Sequence, residues 1–89
     1  MLISISYDLR KPGRNYDDLY KVIKSAPSYC HTMDSLWFIH TNETVKTWSD
    51  RLMKCIDNND YLFIVDITKQ SRYGRMIRDV WDWLDKHDY

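Results

Sequence analysis

Hydrophobic and polar residues alternate at the start of the chain in the pattern of a β-strand. Ile3, Ile5 and Tyr7 alternate with two serines, so we predict a strand over Leu2–Tyr7 that stops at Asp8. A Pro-Gly turn signal follows within the next seven residues. The spacing then changes to that of a helix, with Asn15 as the predicted N-cap and Pro27 as the end. The predicted apolar stripe of this helix consists of Tyr16, Leu19, Tyr20 and Ile23.

The middle of the chain predicts a hairpin, a helix and a further strand. The hairpin arms are Ser28–Met33 and Leu36–Thr41, separated by an Asp-Ser turn. Thr41 or Asn42 is the predicted cap of the second helix. A polar turn over residues 57–60 precedes the strand Tyr61–Thr68, whose unbroken apolar run is typical of a sheet interior. The predicted stripe of the second helix consists of Val45, Trp48, Leu52, Cys55 and Ile56.

A last helix is predicted from Ser71, as its cap, to about Lys86. The order β-α-β-β-α-β before that helix predicts an α+β protein with a ferredoxin-like βαββαβ fold and an added C-terminal helix. The whole chain, 1–89, is predicted to be one domain, because 89 residues leave no room for a second. The predicted buried stripe of the last helix consists of Tyr73, Met76, Ile77, Val80 and Leu84.

Composition and charge narrow the classes of function. The 13 basic residues balance 13 acidic ones, and this balance argues against a strong non-specific nucleic-acid binder. Two cysteines are too few for a disulfide framework, and no apolar run approaches the ~20 residues of a membrane span. With no signal peptide visible either, we expect no membrane association and a cytoplasmic location.

Asp8 is the first candidate for chemistry, because it ends the first strand. Its carboxylate can ligate a divalent metal, and it can equally cap the following loop. A single carboxylate makes no metal site, so the first alternative needs a second copy of Asp8 across a dimer axis. Asp66 does not help, since in an antiparallel pair it lies toward the other end of the strand.

Two basic clusters can hold nucleic acid or can simply be solvated surface. Arg10, Lys11 and Arg14 follow Asp8 and suit phosphate contacts. A second cluster at the start of the last helix includes Arg72 and Arg75, with Tyr73 between them as a ring on which a base can stack.

Other residues give weaker signals. His31 and His40 lie on opposite arms of the hairpin and could meet, with Cys30 next to the first, but no spacing matches a known zinc pattern. Trp81 and Trp83 cannot both point to the core as the stripe is drawn, and an exposed Trp suggests an interface. Continuous apolar strands and surplus Trp in so small a domain predict a homodimer.

Short motifs resemble a known family. The segment Ile3–Leu9 resembles the opening strand of the second CRISPR-associated (Cas) protein, a small ferredoxin-fold nuclease and adaptation scaffold, and the segment 35–39 resembles its Ser-Val-Phe strand. The chain also resembles small proteins of bacteria and mobile elements labelled SinR-like. That resemblance rests on the motifs Ser6–Leu9, Lys11-Pro12-Gly13, Asn15-Tyr16 and Asp34-Ser35.

This resemblance, which covers residues 1–68, implies a homodimer that binds nucleic acid or a nucleotide. It further implies that Asp8 from two protomers holds Mg²⁺ and supplies a weak metal-dependent phosphodiesterase activity, while Arg10, Lys11 and Arg14 position the backbone. The alternative is a non-catalytic protein-interaction module of a mobile element or phage, such as an inhibitor of a host defence system. The residues alone leave both open.

Overall fold

The protein has one four-stranded antiparallel sheet and three helices. The computed structural model describes residues 1–89, and the strands lie in the order β2-β3-β1-β4. The predicted α+β class is therefore confirmed. The elements are β1 (Leu2–Asp8), α1 (Asp17–Lys24), β2 (Ser28–Met33), β3 (Leu36–His40), α2 (Val45–Met53), β4 (Tyr61–Asp66) and α3 (Arg78–His87).

The first face of the sheet carries the main core. Alternation along β1 turns Ile3 and Ile5 to this face, where α1 and α2 cover them. Trp37 of β3 lies opposite Ile5 and is almost fully buried. Its indole N–H donates to the Tyr7 hydroxyl at 3.0 Å, so burial leaves no polar atom unpaired. The helical residues in this core include Leu19, Ile23, Trp48 and Leu52.

The second face of the sheet is only partly covered. Leu2 and Phe38 pack there against Val80 and Leu84 of α3. Trp81 and Trp83 are both half-buried beside this small cluster, and the Trp83 indole N–H donates to the Ser28 hydroxyl at 3.2 Å. On β4 the second face stays open: its exposed side chains, here called the β4 row, are Tyr61, Phe63 and Val65.

The predicted start of the last helix is wrong. The helix begins at Arg78, and residues 71–77 are not helical. Gly74 has φ +155°, a conformation outside the helical region, and Ile77 is extended. Tyr73 and Ile77 were expected in the buried stripe but are exposed, whereas Val80 and Leu84 are buried as predicted.

Several element ends also differ from the prediction. The cap of α2 is Thr44, whose side chain accepts from the Thr47 N–H. Thr41, one of the predicted caps, is instead buried and accepts from the Trp48 indole N–H at 3.1 Å. The last strand ends at Asp66, because its carboxylate accepts from both the backbone N–H and the hydroxyl of Thr68 and closes a turn.

The core position of the β3 arm can be checked by truncation. Trp37→Ala should lower the free energy of unfolding by about 3–5 kcal/mol, as large-to-small changes in a packed core do, and Phe38→Ala should act in the same direction. Urea unfolding followed by circular dichroism measures this. Tyr73→Ala, a deletion similar in size to Phe38→Ala but at a fully exposed ring, should change the free energy of unfolding by less than about 0.5 kcal/mol. A loss below about 1 kcal/mol for Trp37→Ala would contradict the packing described.

Candidate nucleic-acid interface

Asp8 lies at the end of β1, opposite Tyr61 of β4. Its carboxylate is more than half exposed and accepts from the Arg10 Nε–H at 3.0 Å. Asp66 lies opposite Ile3 at the other end of the sheet, as predicted. No group of three or more His, Cys, Asp or Glu side chains is placed to hold a metal ion.

Within one chain the Asp8 carboxylate is therefore engaged by Arg10 and belongs to no such group. The paired Asp8 site of the resemblance requires a second protomer and stays a prediction.

The loop after β1 brings its three basic residues to one surface, but each has an acidic neighbour. Arg10 pairs with Asp8, while Lys11 and Arg14 both lie near Asp57, at 3.4 Å and 3.6 Å. The guanidinium of Arg10 also lies over the Tyr61 ring, 5.2 Å from its centroid. The charges of this predicted phosphate-binding cluster are thus largely balanced within the chain.

A carboxylate in the α2–β4 turn holds this loop in place. Asp60 is buried and accepts from the Arg10 backbone N–H at 2.6 Å, the Tyr16 hydroxyl at 2.8 Å and the Asp57 N–H at 2.7 Å. Burial raises the pKa of Asp60, but these hydrogen bonds and the charge of Arg14 outweigh it and hold the pKa below its ordinary value. The three hydrogen bonds accepted by Asp60, here called the Asp60 clamp, hold the Arg10 backbone in place beside Tyr61.

The second basic cluster is divided. The guanidinium of Arg72 pairs with Asp88 at 3.2 Å and approaches Asp85 at 3.8 Å. These contacts tie residues 67–77, here called the connecting segment, to α3. Tyr73 is 99% exposed. Arg75 takes part in none of the ion pairs of the structure. Tyr73 and Arg75 are therefore free to contact a ligand, whereas Arg72 serves the fold.

The structure adds two aromatic residues that the sequence did not indicate as a site. Tyr61 and Phe63 are 64% and 66% exposed on the open half of the second face. The sequence predicts the strand that contains them in the sheet interior, but β4 is an edge strand. α3 covers the part of the second face that lies over β2 and β3, and not the part over β4. The sequence carried no signal that separates the two cases, because an apolar run has the same residue pattern on an edge strand and in the interior.

The histidines and cysteines do not form a site together. His31 stacks on Trp37 with ring centroids 3.9 Å apart, whereas His40 lies at the other end of β3 near Tyr89. Cys30 and Cys55 are free thiols, and burial raises the pKa of each. A raised pKa leaves the thiol protonated and unreactive at neutral pH.

No protein-family model and no curated protein matches this chain. None of its helices has the length and apolar character needed to cross a membrane.

The Asp60 clamp predicts a pH dependence. A carboxylate with a lowered folded-state pKa stabilises fully above its unfolded pKa of about 4, and this stabilisation is lost as the pH falls through the folded value. Asp60→Asn should therefore lower the thermal midpoint at neutral pH and flatten its decline at acid pH. Thermal melts at several pH values between about 6 and 2 measure this. Asp82→Asn, an exposed control on α3, should melt as wild type, and an unchanged Asp60→Asn profile would contradict the clamp.

Proposed function

We propose that this protein binds single-stranded nucleic acid on the open half of the second face, without cleaving it. The observation that carries the proposal is the pair of exposed rings of Tyr61 and Phe63, with the Arg10 guanidinium held beside the first. Bases stack on aromatic side chains largely independently of sequence, and an arginine next to such a ring can contact a base or a phosphate.

The order of the elements supports a ferredoxin-like assignment with α3 as an addition. β1 lies between β3 and β4, and all neighbours are antiparallel. In RNA-binding domains built on four-stranded sheets, aromatic residues of the sheet stack two or three bases. The resemblance to SinR-like and Cas-related proteins agrees with this assignment of fold and substrate class, and is part of the proposal.

Charge distinguishes the preferred form of nucleic acid. The basic residues near the rings are mostly paired, and the chain carries no net charge, so few phosphates can be neutralised. Stacking must then supply much of the affinity, and stacking needs unpaired bases. We therefore propose weak binding of single strands, with little affinity for duplexes and a shallow dependence on salt.

Binding can be measured by fluorescence anisotropy with labelled RNA and DNA strands of about ten nucleotides. Tyr61→Ala and Phe63→Ala should each weaken binding about 5- to 150-fold, because a stacked base contributes roughly 1–3 kcal/mol. Tyr89→Ala is the matched control, since this ring is 65% exposed but lies near His40 and not on β4. Equal losses for Tyr89→Ala, or tighter binding of duplex than of single strands, would contradict the proposed surface.

The non-catalytic part of the proposal has its own test. Because the Asp8 carboxylate is paired with the Arg10 guanidinium, we expect no cleavage of RNA or DNA with Mg²⁺ or Mn²⁺. Asp8→Asn should bind oligonucleotides at least as tightly as the wild type, since it releases Arg10 from this ion pair. Gel analysis of long incubations measures cleavage. Cleavage by the wild type that Asp8→Asn abolishes would overturn the non-catalytic reading and favour the paired metal site of the resemblance.

A protein-interaction module is the second candidate, and one observation favours it. A cleft of about 310 Å³ lies between the sheet and the connecting segment, lined mainly by apolar side chains such as Phe38, Met76 and Trp81. Met33, exposed at its rim, extends this apolar surface. Failure of every oligonucleotide to bind would leave this function as the better supported one.

A further inference from the structure

β4 is an edge strand whose outer backbone groups have no partner. The Tyr7 N–H bonds to Ser35 on the β3 side, and the Leu2 carbonyl accepts from the Ile67 N–H on the β4 side. The N–H and C=O groups of successive residues point to opposite edges of a strand. Odd-numbered residues of β1 therefore bond to β3, and even-numbered residues of β1 bond to odd-numbered residues of β4. The even-numbered residues of β4 therefore point their N–H and C=O groups outward; they are Leu62, Ile64 and Asp66.

The two edge strands of the sheet differ in how strongly they discourage pairing with a strand of another chain. The outer strand β2 has an irregular register between His31 and Met33, and such bulges discourage pairing with another chain. β4 has a regular register over six residues, with no Pro and no Lys. Proteins cover or charge such edges, and Asp66 is the only charged residue on this one.

We propose that β4 pairs antiparallel with β4 of a second copy, which joins the two sheets into one of eight strands. A two-fold axis perpendicular to the sheet leaves every residue on its own face, and opposed residues of a ladder share a face. Each residue must then oppose itself or a residue an even number of positions away. The exposed β4 row consequently meets the row of the second copy, and the outward backbone groups meet each other.

One register pairs the whole row. With Phe63 on the axis, Phe63 faces Phe63 of the second copy, Tyr61 faces Val65, and Leu62 exchanges backbone hydrogen bonds with Ile64. Moving the axis to Ile64 would put the Asp66 carboxylate opposite Leu62. Moving it to Leu62 would leave Val65 opposite the turn at residue 59. The register centred on Phe63 is therefore the one that we propose.

The available area sets the strength of this dimer. A fully buried aromatic side chain removes roughly 150–250 Å² from water, and about two-thirds of the Tyr61 and Phe63 surfaces is open. Even complete burial of both rows would cover on the order of 600 Å², below the roughly 1,200 Å² at which stable interfaces begin. We therefore expect a dimer that dissociates at micromolar concentrations.

The dimer would double the proposed binding surface, a consequence that rests on the proposed function. The two rows would lie side by side and form one patch of six side chains, four of them aromatic. Arg10 of each copy would lie at opposite ends, beside Tyr61. An oligonucleotide too long for one β4 row would then bind as one molecule per dimer.

Dimerisation is tested without nucleic acid, by sedimentation equilibrium and light scattering. The expected mass rises toward twice 10.9 kDa as the concentration approaches about 100 µM. Phe63→Lys and Phe63→Glu should each raise the dimer dissociation constant at least about tenfold, since like charges would face each other at the axis. An equimolar mixture of the two variants should restore the dimer. Tyr89→Lys, the control with the same charge away from the edge, should dimerise as wild type.

Amide hydrogen exchange gives an independent readout that needs no variant. The N–H groups of Leu62 and Ile64 should exchange rapidly in dilute protein and gain protection with concentration. Those of Phe63 and Val65 bond to β1 and should be protected throughout. A monomer at every concentration, or even-numbered amides whose exchange ignores concentration, would overturn the edge pairing.

If Phe63→Lys and Phe63→Glu dimerise as wild type, or their mixture stays monomeric, the register centred on Phe63 is overturned. The two proposals fail separately. A monomer that binds oligonucleotides through Tyr61 removes only the dimer, and a dimer that binds none removes only the proposed function.

Discussion

One helix has to cover the second face of a four-stranded sheet, and it is not wide enough. Strands lie about 4.8 Å apart, so four of them span about 15–19 Å, whereas a helix with its side chains is about 10–12 Å across. Two helices share the first face and close it. α3 alone shields the side of β2 and β3, and the β4 row remains in solvent. The surfaces proposed for ligand and partner both result from this mismatch in width.

The basic residues of the loop after β1, and Arg72, are each balanced by a nearby carboxylate. Asp57 lies between Lys11 and Arg14, Asp8 holds Arg10, and Asp88 holds Arg72. These pairs are mostly on the surface, where an ion pair contributes little to stability. Their larger effect is to weaken the attraction that the same residues would have for phosphate. Stacking rather than charge is therefore the main contribution expected from the proposed binding surface beside the loop.

Much of the fold could be predicted from the alternation of residue types. β1 and the stripes of α1 and α2 follow from local periodicity, because each packs one face against the core, although α2 ends at Met53, before the predicted Cys55 and Ile56. The hairpin around Asp34-Ser35 follows from its turn residues. The segment before α3 could not be predicted this way. Tyr73 and Ile77 have helical spacing, but the ion pair of Arg72 with Asp88 and the conformation of Gly74 are incompatible with a helix that starts at Ser71.

The candidate site was only half predictable for a related reason. Asp8 and the basic residues of the loop are close neighbours in sequence, so the order of residue types was enough to identify them. Two other carboxylates beside the loop, Asp57 and Asp60, lie more than forty residues further along the chain, and only the closed fold brings them to it. Exposure of Phe63 depends on which strand is outermost and on where α3 ends. An apolar run on an edge strand has the same sequence signature as one in the interior.

α3 follows all four strands along the chain, and this order has a consequence for folding. Leu2 and Phe38 meet Val80 and Leu84 only when residues far apart in sequence come together. Such contacts form late, because a long loop must close before they are made. The sheet and its first face can therefore assemble before α3 docks, and during that interval the whole second face is bare to other copies of the protein.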